Sequence, residues 1–142
     1  MRLGAAAALW PDKDVMPMGN VFAEARVRQG RGYLAIAPGL YLSGPSGDLD
    51  YGGLALELGG GWMLSERPVA PYLGGGIAGR LQFSDDDGAV GFAPYGQLGL
   101  QGEVGTVRAF GELRVYQNVL PIAAGADDVF PFEPGIAVGV LF

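Results

Sequence analysis

Arginine and glutamate are the side chains of this 142-residue sequence best placed to do chemistry. Glu24, Arg26, Glu57, Arg80, Arg108, Glu112, Arg114 and Glu133 lie in segments otherwise made of apolar or small residues. The set holds as many carboxylates as guanidinium groups, as buried ions require if none is to stand unpaired. Nucleophilic catalysis has no such set. It needs a hydroxyl or thiol beside a base, but the sequence has neither Cys nor His. Ser43, Ser46, Ser65 and Ser84 fall in loops or turns, and Thr106 is the only threonine. No catalytic residue is expected, and the chain is read as not an enzyme. Asp85-Asp86-Asp87-Gly88 is the one acidic run that invites a divalent cation. It lacks the alternating carboxylates and closing Glu of a calcium loop and reads as a solvated tip. No metal site and no cofactor are expected. A net charge of −6 without a basic patch argues against nucleic acid as a partner.

Eight stretches of period two carry these residues, at roughly 2–10, 20–28, 32–42, 51–63, 69–83, 90–103, 106–118 and 132–142. Period two means strands with two different faces. The last stretch, from Phe132 to Phe142, puts Phe132, Pro134, Ile136, Val138, Val140 and Phe142 on one face. Connections alternate in length. Gln29-Gly30-Arg31, residues 64–68 and Val104-Gly105 are short; residues 11–19, 43–50, 84–89 and 119–131 are longer. Short turns at one end and long loops at the other describe an up-and-down antiparallel barrel. All nine Asp lie in or beside the long loops, whereas Arg28, Arg31 and Arg67 lie at the short-turn end. One domain over residues 1–142 is expected. The opening Met1–Trp10 has a faint signal-peptide look but is too short and meets Pro11 at once. It reads as strand, any export signal having been removed already.

The decisive question is which face meets which solvent. One face carries leucine, isoleucine, valine and phenylalanine. The other carries the Arg/Glu set with Tyr33, Tyr72, Tyr95, Gln97, Gln101, Tyr116 and many Gly and Ala. The lumen of an eight-stranded barrel is only just wide enough for side chains to fill it, so the bulky face would overpack it. The polar face is also too poor in lysine, with Lys13 alone, for an ordinary wet surface. Aromatic residues gather near strand ends, Phe83, Phe92 and Phe132 at the long-loop end and Trp62 and Phe142 at the other. They have the placing of the two aromatic girdles of a membrane barrel. The fold class is therefore read as all-β, an eight-stranded antiparallel up-and-down transmembrane β-barrel. Arg/Glu ion pairs fill its inside, with Arg114 to Glu133 as the expected pair. Pro38, Pro71, Pro94 and Pro134 disagree with ordinary strands, and a bulge is expected at Pro38.

On strand count, loop alternation and a final strand Gly135–Phe142 closing on an aromatic residue, the chain resembles the small eight-stranded outer-membrane proteins of the OmpA/OmpX type. The resemblance implies an integral protein of the outer membrane of a Gram-negative-type cell, in contact with outer-membrane lipids and lipopolysaccharide. It also implies a last strand read by the barrel assembly machinery. A monomer is expected, with a structural or surface-interaction role. Any further activity is assigned to the long loops, chiefly 119–131 with Asp127-Asp128 beside Val129-Phe130-Pro131. Two alternatives stand beside this reading: a narrow pore for ions or small solutes, and a soluble lipocalin-like carrier of an apolar ligand.

Overall fold

The computed structural model describes residues 1–8, 18–43, 51–83, 88–117, 119 and 132–142. Eight strands follow one another: β1 (Arg2–Ala8), β2 (Met18–Gln29), β3 (Gly32–Ser43), β4 (Tyr51–Met63), β5 (Ala70–Phe83), β6 (Gly88–Val104), β7 (Val107–Gln117) and β8 (Phe132–Leu141). Each pairs antiparallel with the next, and β1 pairs with β8, so the sheet closes into a barrel. The seam is continuous from Arg2 opposite Leu141 to Ala8 opposite Gly135. Beyond it the Phe142 amide donates to the Met1 carbonyl at 2.9 Å.

Local chemistry sets the tight turns. Gln29 pairs with Gly32 and Val104 with Val107, which leaves Gly30-Arg31 and Gly105-Thr106 as two-residue loops. Gly30 and Gly105 have φ of 59° and 66°. A positive φ at the first central position is the hairpin geometry that matches the twist of the flanking strands, and it favours glycine there.

The prolines fit the ladder in a way that differs from expectation. No bulge forms at Pro38. β3 and β4 stay in one unbroken register, with Pro38 opposite Leu56. On the β2 side the ladder runs from Met18 to Phe22 and resumes at Ala25 opposite Ile36, in the same register. The ladder skips the two rungs at Pro38 and Ala37, around the position without an N–H, and inserts no extra residue. Pro71 and Pro94 lie where a ladder stops: the β4 ladder reaches Tyr72 and the β7 ladder reaches Tyr95. Proline costs least there, since its missing donor faces no partner strand.

β6 extends further than the alternation alone predicts. Gly88–Pro94 pairs with β5 only, and together the two strands rise as a hairpin above the β6–β7 ladder.

The barrel is inside out relative to a water-soluble protein. Leu56, Ile77, Leu98, Leu113 and Val138 are exposed, whereas Arg2, Glu57, Glu112 and Arg114 are buried. Trp62, Phe83, Phe92, Phe132 and Phe142 all point outward near strand ends. A belt of this kind suits hydrocarbon, where a sheet must have no unpaired edge. A soluble carrier would need the opposite facing, so that alternative loses its apolar cavity.

Val138 is 56 % exposed midway along β8, between Ala5 on β1 and Gly111 on β7. Val138→Arg is expected to destabilise the folded barrel by about 2–4 kcal/mol, read from urea unfolding in micelles. An unchanged midpoint would contradict the outward facing.

Candidate functional site

The lumen is built in three tiers from the short-turn end upward. In the lowest, Arg2 donates to Tyr72 Oη at 3.1 Å, to Gln101 Oε1 at 2.6 Å and to Glu112 Oε2 at 3.5 Å. Its Nε also lies 3.6 Å from Glu24. Arg26 pairs with Glu24, its neighbour on the same face of β2, and the Tyr72 hydroxyl donates to Glu112. In the middle tier Arg114 Nη1 donates across the barrel to Glu57 Oε2 at 2.6 Å, and Arg114 Nε donates to Glu112 Oε1 at 2.6 Å. The Tyr116 hydroxyl completes this tier by donating to Glu57 Oε1 at 2.7 Å. In the upper tier Arg80 grips Glu133 with two donors, at 2.7 and 3.2 Å.

Glu112 is the shared node. It meets Arg2 and Arg114, with Arg26 at 4.0 Å, and is 4 % exposed. A carboxylate so buried is tolerable only with several cationic or hydrogen-bonding partners. The guanidinium groups also stack on rings. Arg26 lies 4.1 Å from the Tyr33 ring centre, Arg2 4.4 Å from Phe110, Arg80 4.7 Å from Tyr116 and Arg114 4.7 Å from Phe22. Such contacts suit desolvated arginines, whose planar cation meets the negative face of the ring.

Glycines on the lumen face make room for those rings. Gly59 and Gly61 of β4 lie opposite Gly76 and Gly74 of β5 on that face. A Cβ on Gly74 would come within 2.6 Å of the Tyr33 hydroxyl, which itself accepts from Gln97 Nε2 at 2.7 Å. At the seam, a Cβ on Gly4 would lie 2.8 Å from the tips of both Phe22 and Phe110. Removing side chains from one wall leaves space for aromatic side chains projecting from another.

Of the eight charged positions named from the sequence, the barrel brings Glu24, Arg26, Glu57, Arg80, Glu112, Arg114 and Glu133 into ion pairs. Arg108 is different. It is exposed at the short-turn mouth and makes no ion pair among the described residues. It sits one rung from the end of the β6–β7 hairpin, too near the mouth to be enclosed. The pairing of Arg114 with Glu133 is also corrected. Register sets Arg114 opposite Gly135 and Glu133 opposite Tyr116. Arg114 therefore turns across the narrow lumen to Glu57, and Glu133 meets Arg80 from β5. Arg2 takes the interior place expected of Arg108. Its position one residue before outward Leu3 was the available signal. Phe22 and Phe110 are also interior, 6.2 Å apart, and only strand parity, not residue type, marked them. Asp85, Asp86, Asp87 and the stretch 120–131 lie outside the described residues.

No family model matches the chain, and no curated protein matches it. Among solved structures, the crystal structure of Neisserial surface protein A is similar, with a TM-score of 0.70 over 99 % of this chain and 95 % of that one. The two sequences are 16 % identical. What they share is a fold. The closed eight-stranded barrel thus has a geometric counterpart at low sequence identity.

Arg114→Met leaves Glu57 and Glu112 without a main partner. It is expected to destabilise by about 3–5 kcal/mol in micelle unfolding. Arg114→Met combined with Glu57→Gln, which restores the balance of enclosed charge, is expected to recover much of that loss. A single variant as stable as the parent would show that the middle tier is not coupled.

Proposed function

We propose that the chain is an integral outer-membrane barrel with a structural or surface-interaction role, its lumen plugged by the Arg/Glu tiers and carrying no catalysis. One observation carries this reading: apolar side chains cover the outer wall while the charged set turns inward. That arrangement fits a lipid bath outside and a filled interior. The aromatic residues support it, with Trp62 and Phe142 serving one membrane interface and Phe83, Phe92 and Phe132 the other. Phospholipid and lipopolysaccharide acyl chains are the natural neighbours of the belt. Insertion by a barrel assembly machinery and a monomeric state complete the proposal.

The narrow-pore alternative is weaker because ion pairs and rings cross the lumen at three levels. Cavity chemistry argues against an enzyme in the same way: the enclosed groups are paired ions and phenols, with no hydroxyl beside an imidazole.

Two measurements test the proposal. Unboiled and boiled samples in SDS are expected to run at different apparent sizes, and the native protein is expected to fractionate with outer membranes. Pure folded protein in planar bilayers is expected to give no discrete conductance. Regular single-channel steps would replace the plugged barrel with a pore.

A further inference from the structure

Four exposed arginines, Arg28, Arg31, Arg67 and Arg108, crowd the short-turn end against two exposed glutamates, Glu66 and Glu103. Two of the four are engaged. Arg28 Nε donates to the Gly30 carbonyl at 2.8 Å, and Arg31 meets Glu66 at 3.4 Å. The Arg67 guanidinium has no partner among the described residues, while its backbone N–H donates to Ser65 Oγ at 3.0 Å. Arg67 lines a concavity on the outer side of the rim together with Ser65 and the Arg31–Glu66 pair, and Leu64, Val69 and Pro71 form its apolar wall.

Val69 also heads a narrower groove of about 220 Å³ that runs down the outer face along β6 and β7. The register builds its floor. Gly102 lies opposite Ala109, and Leu100 opposite Gly111. Gly102, Ala109 and Gly111 thus offer almost no side chain beside the raised Leu100 and Val69. Gln101 and Glu103 border the groove, but strand alternation turns them toward the lumen and mouth. Val69 lines both concavities and so joins the place of the uncommitted Arg67 to the apolar slot.

We propose that this surface binds one anionic glycerophospholipid, its phosphate at Arg67 beside the Arg31–Glu66 pair and one acyl chain along Val69, Gly102, Ala109 and Gly111. The positive excess at the rim selects an anionic headgroup, and the slot requires a chain that free phosphate lacks. The inference rests on the outer wall lying in a bilayer.

The test is native mass spectrometry of the full folded chain released from micelles and titrated with phosphatidylglycerol or phosphatidylcholine. Phosphatidylglycerol adducts are expected to exceed phosphatidylcholine adducts about fivefold, the effect of one arginine beside an anionic lipid. Arg67→Gln should abolish that preference, and Ala109→Leu, which fills the slot, should lower adducts of both lipids. Equal occupancy by the two lipids, preference surviving Arg67→Gln, or adducts undiminished by Ala109→Leu would each overturn the site. So would displacement of phosphatidylglycerol by soluble glycerophosphate, which would mark a simple phosphate site. A heat-dependent gel shift retained in every variant separates failure of the lipid site from failure of the membrane-barrel reading.

Discussion

A sheet surrounded by hydrocarbon can leave no row of amides and carbonyls unpaired, and this constraint shapes the whole molecule. Closure of β1 on β8 meets it. With eight strands, closure also fixes a narrow lumen. Bulky aliphatic residues therefore point outward, where lipid accommodates any shape. The interior must be filled by a closely fitted set, and the glycine pairs opposite Tyr33, Phe22 and Phe110 are how the walls make room for rings. Even the strand prolines follow from the ladder, because Pro71 and Pro94 stand where a ladder ends and Pro38 at an interruption.

The same narrowness governs the charges. A guanidinium on β7 reaches a carboxylate on β4 because the opposite wall is a side chain's length away. Four interior arginines, Arg2, Arg26, Arg80 and Arg114, meet Glu24, Glu57, Glu112 and Glu133, so the enclosed charge sums to zero among these groups. Neutrality within the lumen makes it a poor attractor for soluble ions.

Period-two alternation made the strands, their facing and the aromatic belts legible, because a two-sided strand writes both solvents into one sequence. Strand limits moved by a few residues at most sites, as with β2 at Met18–Gln29 and β6 at Gly88–Val104. Pair partners were less legible. Arg114 and Glu133 lie on adjacent strands, yet contacts across the lumen depend on shear and side-chain reach, which no single strand records. Arg2 rather than Arg108 is enclosed for a similar reason. Parity places both on the inward face, but only depth along the barrel distinguishes an enclosed arginine from one at the mouth. Phe22 and Phe110 were hidden by the rule that apolar residues face lipid, which fails where glycine leaves a space inside.

The medium around Leu56, Ile77 and Val138 decides whether the outer wall lies in a bilayer. The chain has no cysteine, so a single nitroxide label can be placed at each position in turn and the protein reconstituted in liposomes. Collision rates with dissolved oxygen and with a water-soluble nickel chelate then report the medium at each site. High oxygen accessibility with little response to nickel at all three is the result this structure requires. Labels that collide freely with the nickel chelate would place the greasy wall in water and contradict it.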